Sequence, residues 1–162
     1  MRARRGVLGV VITVAVAAAA PQAQAKIIEG RSVAAVKLGE TRAGVRARLG
    51  RPTHSNAEAM TYAATGLSFH ISNGRVDQML STSKREVTTK GIGIGASRAK
   101  LMRAYPTARC ASGFFGPNTL YCLVFTHLHG QVSRTGFLFE PEAKGVSEIE
   151  VGDGPGNVQI GG

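Results

Sequence analysis

Apolar and polar residues change their spacing along this chain in a recurring order. Leu67-Ser68-Phe69-His70-Ile71-Ser72 alternates apolar and polar positions with the period of a strand, and Arg75 to Leu80 resumes the pattern after Asn73-Gly74. Asn-Gly between two such runs predicts a two-residue hairpin, because both residues accept the positive φ of a type I′ turn. That turn pairs Ser72 with Arg75, Ile71 with Val76 and His70 with Asp77. Leu67, Phe69, Ile71, Val76 and Leu80 are then expected on a core face, and His70, Asp77 and Met79 on the other. Met60 to Ala63 is a further strand candidate. In the second half, Leu120–Leu128, Val132–Glu140 and Val146–Val151 read as strands, with Phe137, Phe139, Ile149 and Val151 alternating toward a core. Lys84 to Lys90 is polar and reads as a connection between the halves.

A helical period precedes each set of strands. At an offset of 56, the segment Val36 to Val45 aligns with Ile92 to Leu101; Gly39/Gly95, Arg42/Arg98 and Ala43/Ala99 are identical. Thr41 or Ser97 offers a hydroxyl to the free N–H groups of a helix start. Val45 and Leu49, or Leu101 and Tyr105, then lie on one helical face. Gly50 before Pro52, or Tyr105 before Pro106, ends the helix. Helices this short need a sheet to cover them. The pattern predicts an α+β fold of two tandem units, each a short helical segment packed on a small antiparallel sheet. The first unit spans 26–86 and the second 87–152, followed by a flexible tail over 153–162.

The run from Leu38 to Pro52, LGETRAGVRARLGRP, resembles the LGMT-x-x-x-V-x-x-x-LG-x-P segment of small exported bacterial proteins. Two families use it: the SmpA/OmlA lipoproteins of the outer-membrane barrel-assembly machine, and the β-lactamase inhibitor protein family with its two tandem helix-plus-sheet units. Glu40 stands where Met is common. The tandem arrangement and the cysteine pair are more similar to the inhibitor family, and no Cys lies near the leader's end as a lipoprotein requires. The resemblance implies the fold. It does not imply inhibition of a β-lactamase, because the motif is a helix-start and packing feature.

The first 25 residues change the reading of compartment. Arg2, Arg4 and Arg5 precede an uncharged stretch from Val7 to Ala20, then Pro21 and Ala23-Gln24-Ala25. This has the form of a cleaved signal peptide over 1–25, and the stretch is too short to span a bilayer. The chain is therefore expected to be secreted, periplasmic or held in the cell envelope. Its two cysteines, Cys110 and Cys122, then meet oxidising conditions and are expected to form a disulfide. They are too far apart in sequence for a CxxC redox motif.

Candidate chemistry is sparse. No Ser sits in a G-x-S-x-G setting, and Gly91 to Gly95 lacks the Gly-Lys-Ser/Thr ending of a phosphate loop. His70 with Asp77 has the elements of a base and its orienter, but reads as an exposed cross-strand pair. His127 and His129 would point the same way on a strand, as two metal ligands do; they also fit ordinary histidines at a strand end, and metal binding stays open. The expectation is no enzyme, no cofactor and no nucleic acid as partner.

Charge leaves a second possibility. Lys plus Arg number 20 against 10 Asp plus Glu, and Arg42, Arg46, Arg48, Arg51, Arg98, Lys100 and Arg103 gather on or beside the two helices. Such helices suit anionic cell-wall polymers or lipid headgroups. The first expectation remains an exported, non-catalytic, inhibitor-like protein-binding module. Between the cysteines, Gly113, Gly116, Pro117 and Asn118 predict a turn-rich loop carrying Phe114 and Phe115. These aromatics, with His70, Asp77 and Met79, are the expected partner-binding residues.

Overall fold

The computed structural model describes residues 26–128 and 130–154. The expected signal peptide, His129 and residues 155–162 of the expected tail lie outside them. In chain order the elements are β1 (Lys26–Ile27), β2 (Ser32–Val33), β3 (Val36–Lys37), α1 (Arg42–Leu49), β4 (His54–Ser55), β5 (Ala59–Tyr62), β6 (Leu67–Ser72), β7 (Arg75–Ser81), β8 (Val87–Thr88), α2 (Arg98–Ala104), β9 (Arg109–Ser112), β10 (Leu120–Leu128), β11 (Gln131–Phe139) and β12 (Glu148–Asp153).

Both helices start as their sequences dictate. Thr41 Oγ1 accepts from Gly44 N at 3.3 Å, and Ser97 Oγ accepts from Lys100 N at 3.2 Å. Gly50 closes α1 at φ 79°, a left-handed conformation that glycine adopts without steric cost. Each helix commits one residue fully to the core, Val45 and Leu101.

The two expected helix-on-sheet units are not separate. β4, β5, β6 and β7 form one meander and β9, β10, β11 and β12 another, and β7 pairs with β12 to give one eight-stranded antiparallel sheet, β4-β5-β6-β7-β12-β11-β10-β9. Across the seam, Met79 pairs with Val151 and Ser81 with Ile149. One core runs under the whole sheet and includes Val45, Phe69, Met79, Leu101, Phe137 and Ile149 from both halves. The correction has a physical cause. Two four-stranded sheets would leave four edges of unpaired backbone groups, and joining them at β7 and β12 removes two. Helices of 8 and 7 residues do not cover a sheet alone, so the architecture is mostly β rather than α+β.

The N-terminal segment completes the cover. β1 pairs in parallel with β8, placing Ile27 beside Thr88, both buried. The Glu29 carboxylate accepts from the Thr89 hydroxyl at 2.7 Å and from the Tyr105 hydroxyl. Burial, followed by the Glu29 bond, raises the Tyr105 phenol far above its ordinary range. Gly30 N donates to Thr135 Oγ1 at 2.8 Å, and a Cβ on Gly30 would lie 2.4 Å from Ser133 Oγ. The stretch read as a polar connection is thus partly interior: Glu86 and Thr88 are buried. At the other end, Asp153 closes β12, and Gly154 N donates to Val132 O at 2.8 Å.

Candidate functional site

One face of the sheet lies on the core. The other, called here the outer face, carries the alternate residues of every strand. From β9 across to β4, one row runs Arg109, Leu123, Gly136, Glu150, Leu80, Ser68, Thr61, His54. A neighbouring row runs Ala111, Tyr121, Leu138, Glu148.

The Asn73-Gly74 turn sets the register of the first hairpin. Asn73 and Gly74 have φ of 50° and 75°, and Ser72 pairs with Arg75 and Ile71 with Val76. There the expected register ends. His70 pairs with Gln78, not Asp77, because Asp77 is the extra residue of a β-bulge. Every later residue of β7 changes face. Met79, expected on the outer face, is fully buried against Phe69, its cross-strand partner, and leaves the candidate set. Leu80 takes the outer position instead. His70 and Asp77 remain outward, with Nδ1 and Oδ1 2.7 Å apart.

The loop between the cysteines is held at its base. Cys110 and Cys122 are directly paired across β9 and β10 and form a disulfide. Beyond it, Gly113 N donates to Thr119 O at 2.9 Å, and positive φ at Gly113, Gly116 and Asn118 turns the chain. Phe114 and Phe115 are 46% and 52% exposed. Neither is loose. Phe114 stacks on Tyr121 at 6.0 Å between ring centres, Phe115 meets Tyr121 edge-on at 5.0 Å, and the two Phe rings meet each other at 4.8 Å.

Tyr121 roots this aromatic cluster in the sheet. Its ring lies over Gly136, where a Cβ would stand 2.0 Å from the hydroxyl oxygen. The hydroxyl donates to Glu150 Oε2 at 2.8 Å, and Arg134 donates to Glu150 Oε1 from Nη2 at 2.6 Å and Nε at 3.0 Å. The guanidinium lies over Gly152, 3.1 Å from where a Cβ would be, and also donates to Asp153 O at 2.6 Å. Glycine in a strand interior marks such close approach. Glu150 is buried yet paired on both oxygens, the condition for a tolerable buried carboxylate. Burial, and then Glu150, push the Tyr121 phenol far above its ordinary range, so it remains a donor. Leu123 is fully buried on this face, outside the main core.

One more carboxylate stands on the face, Glu148. Burial, with Glu150 and Glu140 nearby, raises the Glu148 carboxyl above its usual value. Asp153 alternates to the core side beside Ser133, and burial with Asp77 raises its carboxyl, against Arg134. From Tyr121 to His70 the face crosses four interstrand spacings, about 20 Å. It therefore joins Phe114, Phe115, His70 and Asp77 on one surface, although His70 and Asp77 lie far from the aromatic cluster.

Tyr121, Arg134 and Glu150 were missed by sequence reading. Their signal was Glu148-Ile149-Glu150-Val151, which places two carboxylates on one face, together with Gly136 and Gly152 inside strands. His127 is exposed on β10. Among the described residues, no three His, Cys, Asp or Glu side chains gather as metal ligands, and no helix is long and apolar enough to cross a membrane. A groove of about 940 Å³ opens at the end of the sheet, where Ile28, Arg31 and Leu38 meet Val132 and Asp153.

No family model and no curated protein matches this chain. Among solved structures, an extracellular protein containing a SCP domain, from Bacillus anthracis str. Ames, superposes with a TM-score of 0.47 at 10% sequence identity. The match covers 72% of this chain and 44% of that one, so the chain spans less than half of that protein's length.

Proposed function

We propose that this protein is an exported, non-catalytic binding module whose outer sheet face docks a protein partner in the envelope or medium. One observation carries the reading: two adjacent phenylalanines, each about half exposed, pack on the ring of Tyr121, whose hydroxyl is bonded into a Glu150–Arg134 network. Exposed aromatics of this size are the usual anchors of protein interfaces. Holding them in place before binding lowers the ordering cost of association. The disulfide at the loop base fits an oxidising compartment.

Docking of anionic polymers or lipid headgroups on the basic helices is the less supported reading. Two of those cations are already engaged within the chain. Arg42 donates to Ser55 Oγ at 3.0 Å and to the Asn56 carbonyl, and Arg48 pairs with Glu40 at 2.8 Å.

Capture from the envelope and medium of the producing cell tests the proposal. A partner retained by the wild type through moderate salt, and lost from a folded Phe114→Ala/Phe115→Ala variant, is the expected result. A partner held equally by both proteins would remove the aromatic face as the contact surface, and elution of every partner by moderate salt would favour the charged helices.

A further inference from the structure

Charge is unevenly placed on this chain. Cations outnumber carboxylates by 20 to 10 overall, yet the outer face carries Asp77, Glu148 and Glu150. Asp153 alternates with Ile149 and Val151 to the core side. Arg134 on the outer face is turned inward onto Glu150 and the Asp153 carbonyl. Arg75 is turned to the Gly39 carbonyl at 2.9 Å, and Arg109 stands at the β9 edge. Glu148 has no ion-pair partner among the described residues.

Glu148 also has a particular neighbourhood. It lies in register with Leu138, and Leu138 with Tyr121, so a half-buried leucine separates the carboxylate from the aromatic cluster. The span from Glu148 to Tyr121 is two interstrand spacings, about 10 Å. A carboxylate at one end, an apolar floor and aromatic rings at the other match a long aliphatic stem with a cationic head. A neutral or anionic group placed there would leave the half-buried Glu148 crowded by Glu140 and Glu150 without compensation.

We infer that this end of the outer face takes a Lys or Arg side chain of the protein partner, its stem laid over Leu138 against the Phe115–Tyr121 rings and its charge at Glu148. This deepens the docking reading and rests on it.

The experiment is a titration of the ¹⁵N-labelled protein with N-acetyl-arginine methylamide, beside its uncharged isostere N-acetyl-citrulline methylamide. Expected are amide shift changes confined to residues around Phe114, Phe115, Tyr121, Leu138 and Glu148. The citrulline compound should bind at least tenfold more weakly, and Glu148→Gln should weaken the arginine compound at least fivefold while leaving the remaining spectrum intact. Equal shifts with both compounds, shifts centred on Asp77 and Asp153, no shifts, or an unaltered Glu148→Gln response would each overturn the inference. The docking reading and this inference fail separately. A captured partner lost by Phe114→Ala/Phe115→Ala but kept by Glu148→Gln would leave protein docking standing without its basic anchor.

Discussion

Gly136 sits beneath the Tyr121 ring, and a single methyl group tests that arrangement. In Gly136→Ala the new Cβ would meet the Tyr121 hydroxyl oxygen at 2.0 Å and the ring carbons Cζ and Cε2 at 2.4 and 2.7 Å. No small adjustment relieves three such contacts, so the ring must leave the sheet. Its hydroxyl then loses a bond to an ionised carboxylate, about 1.5–3 kcal/mol. Partial exposure of a ring now almost fully buried adds about 1–2 kcal/mol. The expected loss is about 2.5–5 kcal/mol, a fall in Tm of roughly 8–20 °C for a domain of this size. Calorimetry measures it, and a double-mutant cycle assigns it. In a Tyr121→Ala background the same Gly136→Ala change should be neutral or gain about 0.5–1 kcal/mol, because Ala restricts the unfolded chain more than Gly. If Gly136→Ala melts within 1 °C of wild type, or costs as much in Tyr121→Ala, the ring does not occupy that space and the account of the network is wrong.

The β-bulge at Asp77 predicts that Met79→Thr, at a fully buried position, costs at least about 2 kcal/mol more than Leu80→Thr on the outer face, as denaturant melts would show; equal or reversed effects would count against the bulged register. Denatured, unreduced protein should show no reactive thiols, and Cys110→Ser/Cys122→Ser should lose about 3 kcal/mol in urea unfolding. Glu148 has a raised folded pKa, so its ionisation opposes folding: the penalty is absent below the ordinary value of 4.5 and develops as pH rises through the folded pKa. Glu148→Gln should therefore melt higher than wild type at pH 7 and equally at pH 3; an advantage persisting at pH 3 would locate its cause elsewhere.

Local signals in the chain were legible because they are chemically local. Thr41 and Ser97 announce helix starts through their own hydroxyls, and Asn73-Gly74 announces its turn through two positive φ values. The Phe114–Phe115 loop showed itself through its turn residues and flanking cysteines. The rest depended on partners remote in sequence. Alternation in Arg75 to Leu80 shows a period but not the inserted Asp77, which depends on how β6 and β7 twist together. The repeat at Thr41 and Ser97 describes two similar segments. It says nothing of whether β7 and β12 remain edges or pair. The Tyr121–Glu150–Arg134 network draws one residue from each of three strands, and Gly136 and Gly152 acquire meaning only once those strands lie side by side.

The pairing of β7 with β12 also bears on how the chain reaches this state. Hairpins such as β6–β7 and β10–β11 close over a few residues, whereas the seam joins Met79 to Val151, roughly 70 residues apart, and carries a larger loop-closure entropy. Neither meander has the full core beneath it until that closure occurs, so the folding barrier should be crossed as the seam forms. Stopped-flow refolding would then be slowed by Val151→Ala by most of its equilibrium destabilisation, while Ile71→Val would mainly accelerate unfolding. Val151→Ala refolding at the wild-type rate would place the seam after the barrier and make the two meanders kinetically independent.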